Sequence, residues 1–305
     1  MIANQTADAD DYNQRRNGRK IMTITVKPLH PIFAAEISGF DMSKPIDEAI
    51  AREIRAAMDT YAVGVIRNGS ITDEDQISFT RIFGPLLLAP KEVGRTTKRR
   101  LQYQELFDAG NLDENGVIYA PDDLRRVYGK GNLLWHTDAS FNKVRGTYSL
   151  LSGHVVPSAG ADTEFADMRA AYDDLPAATK AKIENLVAEH SVWFSRVQAG
   201  YPEPTENELR ARPPSPHKLV HVHPRSKRKT LYLAAHISGF AGMSREASRA
   251  LLDELMAHAT QQKYVYSHQW RTGDLVIWDN FCTMHRATPF DDRGTPRDMP
   301  EKPEI

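Results

Sequence analysis

The stretch Trp135-His136-Thr137-Asp138-Ala139-Ser140-Phe141 carries a histidine and an aspartate two positions apart. In an extended chain these two side chains point to the same side, because strand side chains alternate with a period of two. An imidazole and a carboxylate side by side provide half of a site for a divalent metal. His-x-Asp pairs also occur by chance, so the prediction of a metal site depends on the rest of the chain.

A third candidate ligand, His285, lies in a second strand-like run from Trp278 to Arg286. Two imidazoles and one carboxylate on one face suit Fe(II), and they leave positions open for oxygen and a chelating co-substrate. The residues alone also allow a buried histidine at 136 and a turn-capping aspartate at 138, with no metal between them.

Composition limits the possible functions. The chain has 305 residues, with 39 Lys and Arg against 40 Asp and Glu, so no charge footprint for nucleic acid or an anionic membrane is visible. The single cysteine, Cys282, excludes an internal disulfide and fits a reducing compartment. No apolar run approaches the ~20 residues that cross a bilayer. We therefore expect a cytoplasmic globular protein whose partners are small molecules.

The domain organisation follows from changes in composition along the chain. Residues 1–21 are polar and charged without periodicity and are expected to be a disordered leader. Residues 22–305 are expected to form a single domain. Within it, residues 86–131 are the least periodic part and carry several basic side chains, which is typical of a lid or a binding loop.

Short strands dominate the middle and the end of the chain, so a β barrel or sandwich with flanking helices is expected. The spacing of apolar residues predicts helices over residues 46–61, 168–175 and 178–192. The five prolines between residues 201 and 217 predict a loop there.

Several long motifs resemble one family. They are HPIFAA (30–35), FTRIFGPL (79–86), WHTDASF (135–141), YSLLSGHVVPSAGADTEFADMRAAYDDLP (148–176), LLDELMAHATQQKYVYSHQW (251–270) and GDLVIWDNFCTMHRA (273–287). Residues 22–297 resemble the iron(II)- and 2-oxoglutarate-dependent dioxygenases of the taurine dioxygenase class, in particular the aryloxyalkanoate dioxygenases. The resemblance implies a mainly β fold with flanking α helices, whose core is a double-stranded β-helix (jelly roll).

The resemblance also implies roles for individual residues. His136, Asp138 and His285 match the Fe(II) ligands, and Thr163, Trp278 and Arg297 match residues that contact 2-oxoglutarate. Lys91, His236 and Ala139 are candidates for contacts with the substrate. Plainer interpretations exist for Thr163 as an ordinary strand residue, for Trp278 as core and for Lys91 as a solvated lysine.

The implied reaction uses O2 and 2-oxoglutarate to oxidise the carbon beside the ether oxygen of an aryloxyacetate-type acid. Its products are a phenol, glyoxylate, succinate and CO2, and no catalytic acid or base is required. One alternative is hydroxylation of a sulfonate or another small organic acid by the same chemistry. From other classes, a non-catalytic jelly-roll metal-binding protein and a zinc hydrolase using His221 and His223 are considered. A homo-oligomer is expected.

The end of the chain, residues 298–305, departs from the family pattern. The resemblance implies a second arginine about four residues after Arg297, inside a closing strand. This chain instead carries Glu301 there, between Pro300 and Pro303. Prolines are disfavoured in central strands, so we expect no central strand in this segment. We also expect the anchoring of an acidic substrate to shift to Lys91 and its neighbours.

Overall fold

A computed structural model describes residues 24–67, 71–88 and 99–303. Within them the chain is mainly β with flanking helices, as predicted. The strands are β1 (Thr25–Pro28), β2 (Ala35–Ser38), β3 (Val63–Arg67), β4 (Phe107–Asp108), β5 (Tyr148–Ser152), β6 (Thr163–Asp167), β7 (Val187–His190), β8 (Ser215–Lys218), β9 (Val220–Val222), β10 (Lys229–Leu231), β11 (Ile237–Phe240), β12 (Val265–His268), β13 (Asp274–Asp279), β14 (Thr283–Ala287) and β15 (Pro300–Pro303).

Helices pack against these sheets. They are α1 (Glu48–Tyr61), α2 (Asp73–Thr80), α3 (Leu124–Gly129), α4 (Met168–Asp173), α5 (Ala177–Ile183), α6 (Val192–Gln198), α7 (Glu206–Ala211) and α8 (Arg245–Ala259). The predicted helix 46–61 corresponds to α1, which begins where Asp47 accepts a hydrogen bond from the Ala49 amide, 2.8 Å away. Among the helices just given, none has the length and apolar character needed to span a bilayer.

The largest sheet has the strand order β1-β2-β3-β13-β5-β15-β4, with β13 at its centre. All six residues of β13 are buried, because its apolar run is covered on both faces. Leu275 and Ile277 pack in the cluster that includes α1, whereas Val276 and Trp278 pack on the opposite face. Alternation along this strand therefore points Trp278 away from the helix and towards a second sheet.

The second sheet, β12-β6-β14, faces the first across aromatic rings. The Phe165 ring on β6 lies 5.5 Å from the Trp278 ring and 6.0 Å from the His285 ring, measured between centroids. Further sheets, β11-β7-β8 and β10-β9, lie beside them. The inward-pointing side chains of β6, β13 and β14 are therefore packed together between the two sheets.

The prediction of helix beyond residue 183 is wrong. The chain leaves α5 at Ile183 and forms β7, which pairs with β8 on one side and with β11 on the other. Ala188 and His190 are thereby buried, and pairing with two neighbours outweighs the local helical spacing. The proline-rich loop expected at 201–217 also contains a short helix, α7, which begins with a capping box between Thr205 and Glu208.

The expectation of no central strand near the C-terminus is also wrong. β15 lies between β5 and β4 in the large sheet, with Pro300 and Pro303 as its first and last residues. The interior residues of the strand pair with Leu151 and Leu150. The Pro300 carbonyl accepts hydrogen bonds from Gln76 Nε2 at 3.2 Å and from Ser152 Oγ at 3.4 Å. The prolines are tolerated because they stand at the strand ends, and side chains help to hold the strand.

Substituting Gln76 tests how this closing strand is held. The buried amide donates to Leu150 O (3.0 Å) and Pro300 O (3.2 Å), and it accepts from Ser152 Oγ (2.7 Å). Gln76→Ala leaves these buried groups without their partner, so we expect a loss of about 2–3 kcal/mol in the free energy of unfolding, measured in urea. The exposed control Gln261→Ala should stay within about 0.5 kcal/mol of wild type. Equal effects in both variants would contradict this account of the strand.

Candidate metal centre

His136 and His285 are brought together by a pair of backbone hydrogen bonds. The His136 amide donates to the His285 carbonyl at 2.9 Å, and the His285 amide donates to the His136 carbonyl at 2.8 Å. The two residues therefore face each other like partners in an antiparallel ladder, and their ring centroids are 4.2 Å apart. The extended stretch predicted around residue 136 thus meets β14, which carries the third predicted ligand.

The three predicted ligands present their acceptor atoms to one another. His136 Nε2 lies 3.7 Å from Asp138 Oδ1, and His285 Nε2 lies 3.6 Å from the same oxygen. One ligand atom from each residue lies within 4.8 Å of those of the other two. The structure therefore brings together the three side chains that the sequence singled out.

The protonation states of the two histidines suit metal binding. His136 Nδ1 lies 2.7 Å from the Leu134 carbonyl, which can only accept, so Nδ1 carries the hydrogen and Nε2 keeps its lone pair. Burial and the neighbouring His285 lower the pKa of His136 to about 3. Burial also lowers the pKa of His285. Both imidazoles are therefore neutral, which is the form that coordinates a metal.

Asp138 is held by hydrogen bonds on the side away from the histidines. Its Oδ2 accepts from Ser149 Oγ at 2.8 Å and from Trp278 Nε1 at 3.1 Å. Burial alone would raise the pKa of Asp138, but the neighbouring His285 and His136 and hydrogen bonds from Ser149 and Glu301 outweigh burial and lower it. The carboxylate is thereby kept ionised with Oδ1 turned towards His136 and His285.

Asn280 completes the support of Asp138. Its side-chain oxygen accepts from the Asp138 amide at 3.2 Å, and its Nδ2 donates to Ser149 Oγ at 3.0 Å. Sequence reasoning did not single out Ser149. The available signal was the position of Ser149 in β5, next to β13, where it is fully buried.

This arrangement fits a divalent metal by its donor chemistry. Two neutral imidazole nitrogens and one carboxylate oxygen lie close together, and all three are ligands that divalent metals accept. Two imidazoles and one carboxylate on one face leave the remaining coordination positions open for other ligands. The expected Fe(II) is compatible with this donor set.

Arg297 is a buried cation with an unused donor. Its Nη1 donates to the Ala109 carbonyl at 2.6 Å, while its Nε has no hydrogen-bond partner in the described part of the chain. Burial lowers the pKa of Arg297 to about 10, so the side chain stays charged at neutral pH. Such a guanidinium is suited to bind a carboxylate.

Thr163 and Trp278 lie on the side of the sheets that carries the metal centre. In the register of β14 with β6, Ala287 pairs with Thr163 and His285 pairs with Phe165, so Thr163 is on the same face as His285. The Thr163 hydroxyl accepts a hydrogen bond from Trp270 Nε1 at 3.0 Å, which leaves its own hydrogen free to donate. The Trp278 indole N–H donates to Asp138 instead of pointing to open space.

The candidates for substrate contacts lie close to the metal centre where the structure describes them. The buried His236 ring lies 5.8 Å from the His136 ring, and its Nδ1 is 2.7 Å from Ser195 Oγ. Ala139 is buried and adopts a left-handed backbone conformation, with φ of 54°, directly after Asp138. Lys91 lies outside the described residues.

His221 and His223 use their ring nitrogens in separate hydrogen bonds. His221 Nε2 lies 2.9 Å from the Phe281 carbonyl, and His223 Nε2 lies 2.9 Å from Asp279 Oδ2. His223 Nδ1 accepts from the Ser226 amide at 2.9 Å, so Nε2 carries the hydrogen. These contacts give no support to a zinc site shared by the two histidines.

A two-histidine, one-carboxylate set with open positions is the arrangement of non-haem Fe(II) oxygenases, and the fold and the site place the chain in that class. The chain belongs to the TauD/TfdA family of dioxygenases. A family model described as "Taurine catabolism dioxygenase TauD, TfdA family" matches residues 25–300. The resemblance stated from the motifs is therefore confirmed.

Two relatives and one solved structure illustrate the similarity. The chain is 42% identical over 271 residues to the alpha-ketoglutarate-dependent 2,4-dichlorophenoxyacetate dioxygenase of Cupriavidus pinatubonensis, with 88% of this chain and 94% of the relative covered. It is 34% identical over 275 residues to the (S)-phenoxypropionate/alpha-ketoglutarate-dioxygenase of Sphingobium herbicidovorans, with 87% and 90% covered. It resembles the crystal structure of AAD-2 in complex with Mn(II) and N-oxalylglycine, with a TM-score of 0.88, 43% identity and coverage of 93% and 98%.

Ser149→Ala tests whether the support of Asp138 matters for the metal. The variant removes the 2.8 Å hydrogen bond to Oδ2 and the link to Asn280. Loss of such a supporting contact typically weakens metal binding by about 10- to 100-fold. We expect a loss of this size in the affinity for Mn(II), measured by calorimetric titration into metal-free protein. The control Ser267→Ala, on an exposed position of β12, should bind Mn(II) as wild type does. Unchanged affinity in Ser149→Ala would contradict the proposed support.

Proposed function

We propose that the protein is an Fe(II)- and 2-oxoglutarate-dependent dioxygenase that oxidises the carbon beside the ether oxygen of an aryloxyacetate-type acid. The observation that carries the proposal is the convergence of His136, Asp138 and His285, with their acceptor atoms turned to one space. The similarity to a 2,4-dichlorophenoxyacetate dioxygenase supports the choice of substrate class.

O2 and 2-oxoglutarate are the co-substrates that balance the atoms and electrons of the reaction. One oxygen atom enters succinate as 2-oxoglutarate loses CO2, and the other is inserted into a C–H bond of the ether carbon, which then carries a hydroxyl group as a hemiacetal. The hemiacetal then breaks its carbon–oxygen bond to release a phenol and glyoxylate. Iron bound at this site would supply the activation of O2, while the chain's own residues bind, orient and shield the reactants.

His136, Asp138 and His285 would hold the iron on one face and leave the opposite positions open. Arg297 would bind the distal carboxylate of 2-oxoglutarate, because a buried guanidinium with a free donor suits a planar anion. Thr163 would donate its hydroxyl hydrogen to the same carboxylate. Trp278 would serve the co-substrate by fixing Asp138 and by forming part of the wall beside it.

The same proposal includes a jelly-roll core. Two facing sheets, one around β13 and one around β6, support it, as does their contact through Phe165 and Trp278. A role of residues 86–131 as a lid, a cytoplasmic location and a homo-oligomeric state remain predictions from the sequence. Of the candidate lid, the described part contributes β4 to the large sheet and α3.

The unusual C-terminal strand brings an acid into this site. Glu301 lies beside Asp138, and burial together with the Asp138 charge raises the pKa of Glu301 well above its usual range. Arg297 and Arg196 lie within electrostatic reach of the same carboxyl group. The position at which the resemblance implies an arginine therefore offers no positive charge to an acidic substrate, and another residue is needed for that role.

Release of succinate tests the proposed reaction. Purified protein with Fe(II) and 2-oxoglutarate under air is expected to release succinate faster when an aryloxyacetate is added, with the phenol formed in equal amount. His285→Ala should lower this rate by at least about 100-fold, since a ligand to the metal is lost. Stimulation by sulfonates instead of aryloxy acids would favour the alternative substrate class. Metal binding without succinate from any acid would favour a non-catalytic metal-binding protein.

A further inference from the structure

Arg145 is a half-buried cation with no carboxylate partner among residues 24–67, 71–88 and 99–303. In the sequence it stands between Phe141 and β5. Its guanidinium carbon is 4.2 Å from the centroid of the Phe281 ring and 4.9 Å from the centroid of the Tyr232 ring. Its Nη1 makes one long contact, 3.5 Å, to Nδ1 of His221. An arginine in this setting keeps its charge and has donors to spare.

The acid that acts on Arg145 electrostatically is already hydrogen-bonded to other groups. Asp279 acts on the Arg145 side chain electrostatically. Its Oδ2, however, accepts from His223 at 2.9 Å and from Arg225 at 2.6 Å, and its Oδ1 accepts from the Phe281 amide at 2.8 Å. Asp279 therefore does not neutralise Arg145 directly.

Buried polar groups without partners lie near Tyr232, whose ring Arg145 contacts. Both ring nitrogens of His190, the hydroxyl of Tyr232 and the hydroxyl of Ser140 have no hydrogen-bond partner within the described chain. The His190 ring lies 5.2 Å from the Tyr232 ring and 5.5 Å from the His217 ring. Buried polar groups in proteins are almost always satisfied, so this cluster has hydrogen-bonding capacity that a polar ligand would use.

These groups are hydrogen-bond donors in their neutral forms. Burial, His217 and Arg145 lower the pKa of His190 to about 3, so its imidazole is neutral and keeps one N–H. Burial raises the pKa of Tyr232, so its hydroxyl keeps its hydrogen. Together with the guanidinium, these groups offer a cation and neutral donors, which complement an oxyanion.

The cluster adjoins the metal centre. Ser140 follows Asp138 by two residues, and His217 Nε2 lies 3.0 Å from the Asn142 carbonyl in the same segment. Asp138 also acts electrostatically on the Tyr232 hydroxyl. A ligand in the cluster would therefore sit against the segment that carries Asp138.

Other cations near the metal centre are less suited to an acidic substrate. Arg297 is assigned to the distal carboxylate of 2-oxoglutarate in the proposed function, and Arg196 lies within electrostatic reach of the Glu301 carboxyl group. Arg196 is further engaged by Asn132 Oδ1 at 3.2 Å and by the Tyr128 ring, whose centroid is 4.3 Å away. Arg145 has only Asp279 within electrostatic reach among the described residues, and that carboxylate is already hydrogen-bonded to His223, Arg225 and the Phe281 amide.

We infer that Arg145, Tyr232 and His190 form the subsite that binds the carboxylate of the substrate acid. The inference rests on the proposed function and names the residues that select an acid as its substrate. The guanidinium would take the carboxylate in a charge-assisted contact, and the hydroxyl and imidazole N–H would satisfy its remaining lone pairs.

Binding measured without turnover tests this subsite. Phenoxyacetate and the uncharged phenoxyethanol are titrated calorimetrically into protein loaded with Fe(II) and 2-oxoglutarate under argon. Wild type should prefer the acid, and Arg145→Met should weaken phenoxyacetate binding by about 10- to 100-fold while leaving phenoxyethanol within about twofold. Arg145→Lys, which keeps the charge, should retain part of the preference. The matched control Lys143→Met, on an exposed position two residues away, should bind both compounds as wild type does.

The outcomes separate this inference from the proposed reaction. An acid preference that survives in Arg145→Met, or that is lost instead in Lys91→Ala, would overturn the subsite. Equal binding of acid and alcohol by wild type would also overturn it, since a cluster that holds only water makes no such distinction. Selective binding of the acid by wild type without succinate release in air would leave the subsite standing and refute the proposed reaction.

Discussion

The metal centre depends on two backbone hydrogen bonds that join His136 to His285. They fix the distance between two ring-bearing residues that are far apart in the sequence, so the imidazoles meet without any direct bond between the side chains. The same pairing holds residue 136 against β14, and Asp138 follows at the start of a turn. Because backbone pairing sets the geometry, the ligand atoms are in place before a metal binds.

A second layer of contacts gives the carboxylate its direction. Ser149 from β5, Trp278 from β13 and Asn280 from the following turn converge on Asp138. Next to them, His223 and Arg225 hold Asp279. The groups His223, Asp279 and Cys282 could hold a metal by distance alone. Their hydrogen bonds do not favour a metal there, because the His223 nitrogen that faces Asp279 carries a hydrogen and has no lone pair to donate to a metal.

The ligand pair His136 and Asp138 could be predicted from the sequence because residues two apart in extended chain point to the same side, and the structure keeps them together although Asp138 stands at the start of a turn. The family motifs then supplied the distant His285. Ser149 and Arg145 could not be found in this way, since a serine in a strand and an arginine in a loop become informative only when their neighbours are known. The strand β7 was missed because its helical spacing is overridden by pairing with β8 and β11. The C-terminal strand was missed because its prolines fall at its ends.

Crystals of the protein soaked in Mn(II) and measured at a wavelength where manganese scatters anomalously test the central claim most directly. The account predicts one strong anomalous peak per chain, bounded by His136 Nε2, Asp138 Oδ1 and His285 Nε2. A peak beside His223, Asp279 and Cys282 with none at the first position would contradict it, and so would the absence of any peak at either place.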